Sequence, residues 1–249
     1  MTIWVILMFL SLMLLLLMGY PVAFTSGAIA LVFGIIFLGV DFFTLLPLRI
    51  WGILTNFTLL AVPLFIFMGV ILDRSGIAED LLETMGKLFG KLNGGLALSV
   101  VIVGAMLAAT TGVVGATVVT MGIIALPTML KHNYSASLAS GTIAASGTLG
   151  QIIPPSIILI LLGDVMGVPV GRLFVGSIIP GLLLVTFFML YILIYAWHKP
   201  SVAPAFNLKQ NNFNYIELIN TILPPLLLIL SVLGSIFLGI ATPTESAAV

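Results

Sequence analysis

The sequence predicts an all-α polytopic membrane protein, and three features of the chain support this fold class. Hydrophobic residues make up 61% of the 249 residues and charged residues only 6%, with a mean hydropathy of +1.33. Soluble domains carry about one-quarter charged residues. Apolar stretches also recur at the length of about 20 residues that a helix needs to cross a bilayer. Finally, the few Lys and Arg residues collect on one side of the predicted layout.

Composition also narrows the possible partners of the chain. The formal net charge is +0 and there is no basic run, so nucleic acid is not expected as a partner. Cysteine is absent, which excludes disulfides and thiolate metal sites, and no transition-metal site is predicted. The lipid bilayer is therefore the main expected surroundings of the chain.

The first half of the chain contains three predicted spans and one amphipathic helix. The apolar stretches 2–19, 22–40 and 51–72 are long enough to cross a bilayer. The first lacks the positive n-region of a signal peptide, so it is interpreted as a retained span. The next stretch alternates an apolar and a charged helical face. The apolar residues are Ile77, Leu81, Met85, Leu88 and Leu92, and the charged ones are Glu79, Asp80, Glu83, Lys87 and Lys91. This pattern predicts an amphipathic helix, either lying along the membrane interface or solvated as a connecting helix.

The centre of the chain departs from ordinary spanning helices. Residues 94–129 are apolar but interrupted at 108–117 by Gly and Thr, which leaves two arms of roughly 15 residues, short for full spans. This pattern favours a re-entrant hairpin. A broken helix is expected at about 135–163, because Pro154 and Pro155 remove two backbone donors in succession. Spans at about 173–197 and up to about 240 follow, with a polar loop before Tyr215.

The distribution of positive charge supports this layout. If residues 94–130 enter and leave on the same side, one face carries six cations: Arg74, Lys87, Lys91, Lys131, Lys199 and Lys209. Only Arg49 and Arg172 then lie on the other face. Because cytoplasmic loops collect Lys and Arg, the N-terminus is expected outside the cytoplasm. Two complete membrane crossings at 94–130 would give the same distribution of charge. Only the arm length and the composition of the tip therefore favour a re-entrant hairpin over two crossings.

Catalytic patterns are missing from the membrane-embedded segments. His132 and His198 fall at span ends, Ser146-Gly147 lacks the Gly of a Gly-x-Ser-Gly nucleophile, and Asp164 lacks the Gly of a Gly-x-Gly-Asp motif. There is no phosphate-binding loop for ATP either. The chain is therefore not expected to be an enzyme, and transport driven by an ion gradient is the favoured function. Glu245 is given no role.

Two clusters of small and hydroxyl residues are the predicted sodium site. Sodium ions in transporters take oxygen ligands from unwound backbone near the bilayer midplane, and no other cofactor is expected. The candidates are Thr110, Thr111, Gly112, Gly115 and Thr117 in the hairpin, with Ser146, Gly147, Thr148 and Gly150 before the break. For any one hydroxyl, bonding back to the preceding turn is the better interpretation, but the two clusters together favour an ion site.

The break also predicts a place for an anionic substrate. A helix that restarts after the two prolines points its positive N-terminal end at the gap, which suits a carboxylate. The candidate substrate-binding residues are Ser146, Gln151, Pro154, Pro155 and Ser156.

Several motifs carry a family resemblance over nearly the whole chain. The motifs are 19–24, 60–65, 115–122, 126–129, 141–156, 176–181 and 241–245. The Gly-Gln-Ile-Ile-Pro-Pro-Ser run at 150–156 is the most specific of them. With these motifs the chain resembles the large membrane subunit (the DctM type) of tripartite ATP-independent periplasmic (TRAP) transporters.

The resemblance implies a permease subunit of a sodium-coupled symporter in the bacterial inner membrane. Its expected partners are a small four-helix membrane subunit and a periplasmic binding protein that delivers an organic acid. It also implies an elevator-type fold whose inverted repeat holds a re-entrant hairpin and a broken helix. Carried onto this sequence, residues 1–93 are scaffold spans with the interfacial helix, 94–163 a transport-type unit (hairpin about 97–131, broken helix about 135–163), and 164–249 further spans.

The family's large subunit has a second repeat, which residues up to Val249 do not supply. Because a site at a repeat interface needs both halves, the chain alone is not expected to transport, and we expect a fragment or one part of a split gene. Two other functions remain open: a one-component sodium-coupled anion symporter, and a structural membrane subunit without transport activity.

Overall fold

The fold is entirely helical over the residues that can be described. The computed structural model describes residues 2–112, 114–205 and 215–248, which form twelve α-helices and no strand. This confirms the predicted all-α class. Four helices are long and apolar enough to cross a membrane, namely Phe57–Arg74, Val114–Lys131, Val170–His198 and Leu218–Phe237. Val113, Lys209 and most of the predicted polar loop before Tyr215 lie outside the described residues.

The chain divides into two compact units, Met1–Asn56 and Phe57–Val249. In the first unit, α1 (Thr2–Leu17) and α2 (Val22–Leu38) correspond to the first two predicted spans, and a 3₁₀ helix (Val40–Thr44) leads to α3 (Leu46–Leu54). Trp4 and Phe37 join α1 to α2 edge to face, with ring centroids 5.5 Å apart. Most other apolar side chains of α1 and α2 are exposed, as expected for a surface facing lipid.

The third predicted span, 51–72, is found at Phe57–Arg74. Its start is later than predicted, because the chain leaves the helix at Thr55 and Asn56. The Thr55 hydroxyl donates to the Trp51 carbonyl at 2.8 Å, and the Asn56 N–H bonds to the Ile53 carbonyl at 3.2 Å. These local bonds end α3, since Thr and Asn compete with the helix for its own backbone groups. A separate helix then begins at Phe57.

The second unit holds nine helices among the described residues. They are α4 (Phe57–Arg74), α5 (Ile77–Phe89), α6 (Gly95–Thr111), α7 (Val114–Lys131), α8 (Ala136–Thr148), α9 (Ile157–Met166), α10 (Val170–His198), α11 (Tyr215–Phe237) and α12 (Pro243–Ala247), with a 3₁₀ turn (Leu149–Gln151) after α8. Helix α6 lies at the centre of this unit and contacts α4, α5, α7, α8, α10 and α11. Val100, Val101 and Val103 on α6 are completely buried.

Helix α5 is amphipathic as predicted, and its apolar face packs against α6. Ala78, Leu81 and Met85 are buried, while Glu83 and Lys87 form an ion pair at 2.9 Å on the polar face. The placement of this helix at a membrane interface stays a prediction.

A short helix near the end of the described chain was not expected from the sequence. Thr242 and Glu245 form a capping box at the start of α12, in which the Thr242 N–H and hydroxyl donate to the Glu245 carboxylate at 2.7 and 2.8 Å. These hydrogen bonds, the backbone one first, lower the pKa of Glu245. The Thr244 hydroxyl donates to the Phe57 carbonyl at 2.7 Å. Glu245 therefore has a structural role in starting α12.

Candidate functional site

Helices α6 and α7 form an antiparallel hairpin with a tight tip. Gly112 caps α6 with a φ of 59°, a left-handed conformation that glycine adopts readily, and its N–H bonds to the Ala108 carbonyl at 3.0 Å. At the other end, the Leu96 N–H donates to the Tyr134 hydroxyl at 3.2 Å. The start of α6 and the chain just after α7 therefore lie side by side.

The arms of the hairpin are longer than the sequence suggested. Helix α6 has 17 residues and α7 has 18, and α7 is among the helices long enough to cross a membrane. The expected arms of roughly 15 residues are therefore corrected. Because the arm lengths do not separate a re-entrant hairpin from two crossings, re-entry stays a prediction.

Two buried threonine hydroxyls meet inside the hairpin tip. Thr111 Oγ1 and Thr117 Oγ1 lie 2.8 Å apart, and both side chains are buried. The neighbouring Thr110 hydroxyl donates to the Leu107 carbonyl at 2.8 Å. A hydroxyl that donates one hydrogen bond keeps lone pairs for a cation. Thr110, Thr111 and Thr117 thus place three buried hydroxyl oxygens on the last turn of α6 and the first turns of α7.

The helix that follows the hairpin is interrupted where the two prolines occur. Helix α8 ends at Thr148, the 3₁₀ turn carries the chain to Gln151, and α9 starts at Ile157. Ser156 is completely buried; its hydroxyl donates to the Gln151 carbonyl at 2.7 Å and accepts from the Leu159 N–H at 3.4 Å. One side chain thus closes the interruption and caps the restarted helix.

The hairpin tip and the interruption pack directly against each other. A methyl group placed on Gly150 would lie 2.8 Å from the Ala108 carbonyl oxygen, and one placed on Gly112 would lie 3.3 Å from the Pro155 carbonyl oxygen. The C-terminal end of α6 therefore meets both sides of the interruption. Since helix C-terminal ends carry partial negative charge and N-terminal ends partial positive charge, groups suited to a cation and to an anion lie next to each other. Pairing of these opposite helix ends also stabilises the fold without any ligand.

Not all predicted site residues take part in this contact. Ser146 is buried beside Gly104 and its hydroxyl donates to the Ile143 carbonyl at 3.0 Å. Gly104 lies seven residues before Thr111, about 10 Å along the helix axis, so Ser146 and Thr111 do not share one ion. Gly147 packs on Val118 of α7. Three other predicted site residues are exposed, namely Gly115, Thr148 and Gln151.

Two adjacent helices touch this contact away from their own ends. Gly69 of α4 lies against Thr111, and Gly181 of α10 lies against Ile153. These glycines come 12 and 11 residues after the starts of their helices, which corresponds to about 18 and 17 Å at 1.5 Å per residue. The contact is therefore flanked by the interior turns of both helices.

Sequence reasoning missed the polar contact between α4 and α7. The Thr120 hydroxyl donates to the Asp73 carboxylate at 3.1 Å, within a helix that is long enough to span. A carboxylate at the end of an apolar run was the available signal, because charged groups within spanning helices are rare and functional by default. Among the described residues, no group of three or more His, Cys, Asp or Glu side chains is placed to hold a metal ion.

The fold and this site define an α-helical, multi-pass membrane protein with a helical hairpin packed on an interrupted helix. The chain belongs to the family of the DctM component of tripartite ATP-independent periplasmic transporters, whose family model matches residues 9–249. The resemblance seen in the sequence is thereby confirmed.

Curated relatives carry the same family name. The C4-dicarboxylate TRAP transporter large permease protein DctM of Vibrio cholerae is 38% identical over 197 residues, which cover 78% of this chain and 42% of the relative. Its namesake in Pseudomonas aeruginosa is 34% identical over 205 residues, covering 82% and 47%. The ectoine TRAP transporter large permease protein TeaC of Halomonas elongata is 32% identical over 235 residues, covering 94% and 54%. The chain spans about half the length of these relatives.

Proposed function

We propose that this chain acts in the permease subunit of a sodium-coupled secondary transporter that imports an organic acid across a bacterial inner membrane. A periplasmic binding protein delivers the acid, and a small four-helix membrane subunit accompanies the permease. The single observation that carries this proposal is the packing of the hairpin tip on the interrupted helix. Relatives named for C4-dicarboxylate, ectoine and isethionate support transport by this architecture with a substrate that varies.

Sodium binding is assigned to the oxygen atoms at the tip. The Thr111 and Thr117 hydroxyls and the carbonyls beside Gly112 and Gly150 are hard ligands close to two helix C-terminal ends, which favour a cation. Ser146 lies beside Gly104, about two turns before Thr111 on α6, and Gly147 packs on Val118, next to Thr117. These two residues allow α8 to pack closely on α6 and α7. The sodium site is thus narrower than the cluster predicted from the sequence.

The substrate acid group is assigned to the start of α9. Its first backbone N–H groups have no helical carbonyl to bond to, and the partial positive charge there attracts a carboxylate. Ser156 already caps one of these N–H groups, so the acid binds the others or displaces the serine hydroxyl. Pro154 and Pro155 keep the preceding chain out of the helix, which exposes this end to the gap.

An ion gradient is a sufficient energy source for such a permease. Moving one charge across about 100 mV releases about 2.3 kcal/mol. Since about 1.4 kcal/mol corresponds to a tenfold concentration ratio, one uncompensated sodium ion supports roughly fifty-fold accumulation. The chemical gradient of sodium adds to this ratio.

Hydrogen exchange on the 249-residue chain tests the ion site directly. Amide exchange is measured in sodium chloride and in choline chloride, and sodium is expected to slow exchange at 108–112 and 150–157. Thr111→Val removes one ligand and is expected to abolish this protection. Thr128→Val is the matched control, since Thr128 lies on α7 far from the tip and its hydroxyl bonds to the Ile124 carbonyl. Equal exchange in both salts would refute sodium binding and favour a structural subunit.

Transport itself is tested with the complete permease that contains this chain, reconstituted in proteoliposomes with its small subunit. Uptake of a radiolabelled dicarboxylate is expected only when both sodium and the periplasmic binding protein are present. Uptake without the binding protein would instead identify a one-component sodium-coupled symporter.

A further inference from the structure

A cavity lies outside the candidate ion site, between α8 and α10. Its volume is about 640 Å³, within the range of about 300–1,000 Å³ that is typical of sites for small molecules. Neither the hairpin tip nor the interruption after α8 lines it. Its walls come from α8, from the aromatic face of α10 and from Val101 of α6.

The polarity of the cavity changes along its length. Ala145 and Phe187 lie at the end nearer the interruption, where the walls are mostly apolar and Thr142 is the one hydroxyl residue. Ser137 and Tyr195 lie at the opposite end, about 12 Å away along α8. Tyr191 stacks on Tyr195 there, with ring centroids 5.8 Å apart. Stacked tyrosines at the end of a spanning helix are typical of the interface between hydrocarbon and headgroups.

A positive charge stands at the polar end of the cavity. Lys199 Nζ lies over the ring of Tyr195, 5.8 Å from its centroid. None of the eleven residues that line the cavity is charged, so no carboxylate in the wall opposes an anion at this end. The cavity is also open to the outside of the helix bundle, since the side chains of Phe187 and Tyr191 are 60% and 61% exposed.

We propose that this cavity is a binding site for an anionic phospholipid. One acyl chain lies in the apolar part between α8 and α10, and the phosphate group contacts Lys199 and the hydroxyls of Ser137 and Tyr195. An apolar channel that ends in hydroxyls and one ammonium group matches the order of groups in a phospholipid. A small free anion would leave the apolar part of the cavity unfilled, and a neutral hydrocarbon would make no use of the charge on Lys199.

Two substitutions separate the acyl-chain contact from the headgroup contact. Gly141 lines the cavity and a methyl group on it would meet no atom within 4 Å, so Gly141→Leu fills the cavity without straining the helix. Gly176→Leu is its control, because Gly176 also has open space around it but lies outside the cavity. Lys199→Ala removes the charge at the polar end. Arg172→Ala is its control, because it removes an exposed cation at the opposite end of α10.

Native mass spectrometry of the purified 249-residue chain measures retention of dioleoyl phosphatidylglycerol and dioleoyl phosphatidylcholine. The wild-type chain is expected to prefer phosphatidylglycerol about fivefold, the effect of one lysine near an anionic group. Lys199→Ala is expected to remove this preference, and Gly141→Leu to reduce retention of both lipids at least tenfold. The two controls should behave as wild type. Equal retention of both lipids by the wild type would overturn the headgroup assignment, and full retention by Gly141→Leu would overturn the acyl-chain assignment.

Photolabelling of the wild-type chain gives a measurement that needs no variant. Phosphatidylglycerol with a diazirine in its acyl chain is expected to label residues 137–145 and 187–195 in preference to the exposed Val119 and Ile123 on α7. Uniform labelling of all exposed faces would overturn the proposal. The proposal would also be overturned if a second copy of the chain occupied the cavity in place of lipid. That result would appear as cross-linked dimers with no lipid label at residues 137–145 and 187–195.

Discussion

Replacing Gly150 by alanine tests the close contact between the hairpin tip and the interrupted helix. The added Cβ would lie 2.8 Å from the Ala108 carbonyl oxygen and 3.1 Å from both the Cα and the Cβ of Ala108. All three contacts are shorter than ordinary van der Waals separations. Because Ala108 belongs to the buried helix α6, neither side of the contact moves freely.

The expected cost of this substitution follows from those contacts. The backbone of Gly150 has no positive φ, so alanine adopts its conformation without strain and the effect is purely steric. Overpacking of this kind costs about 1–3 kcal/mol in free energy of unfolding. Gly122→Ala on α7 is the control, since its Cβ would meet no atom within 4 Å. There alanine is expected to be neutral or to stabilise the helix by up to about 1 kcal/mol.

Equilibrium unfolding of the purified chain in mixed detergent micelles, followed by circular dichroism, measures both variants. Gly150→Ala should lower the free energy of unfolding and Gly122→Ala should not. Hydrogen exchange should also rise at 108–112 in Gly150→Ala, because the tip is pushed away from the interruption. If Gly150→Ala is as stable as wild type and its exchange is unchanged, Gly150 does not pack on Ala108 as described.

Two further predictions concern hydroxyl groups that join helix ends. Burial raises the pKa of the Tyr134 phenol more than backbone hydrogen bonds from Leu96, Ala97 and Gly94 lower it. The tyrosine therefore stabilises the fold fully below the ordinary tyrosine pKa of about 10, and this stabilisation is lost as the pH rises through the folded-state pKa. Tyr134→Phe should therefore cost about 1–3 kcal/mol at neutral pH, and its unfolding curve should approach that of wild type above about pH 10; a constant difference at every pH would contradict this. Ser156→Ala should cost about 1–2 kcal/mol through loss of the α9 cap and speed amide exchange at 157–160, whereas Ser140→Ala, at an exposed hydroxyl, should do neither.

The sequence predicted the helical elements because their signals are local. Pro154 and Pro155 remove two backbone donors in succession, and α8 does end before them. Pro224 and Pro225 lie inside α11, so the small residues before the first pair also contribute to the break. Thr110 and Thr111 at the tip were interpreted as an interruption of the apolar arm, but they remain helical, and α6 ends at Thr111 with Gly112 as its cap. This is why the arms are longer than expected. The polar pair at 55 and 56 was interpreted as part of the third span, since two polar residues in a long apolar run do not by themselves indicate a break.

The contacts within the candidate site were beyond the reach of sequence patterns. Gly150 meets Ala108, and Gly69 meets Thr111, across more than 40 residues of chain in each case. Small residues indicate that helices approach closely but not which partner they approach. The separation of Ser146 from Thr111 likewise depends on the parallel course of α6 and α8. Sequence periodicity identifies which face of each helix packs, but it does not determine how far one helix is shifted along its axis relative to the other.

The hydrogen bond from Thr244 to Phe57 brings the last described helix back to the residue at which the second unit begins. The first and last described helices of this unit, α4 and α12, are thereby held together. Helix α4 also contacts α6 and α9. A single hydroxyl thus ties α12 to the helix that packs on both partners of the candidate site.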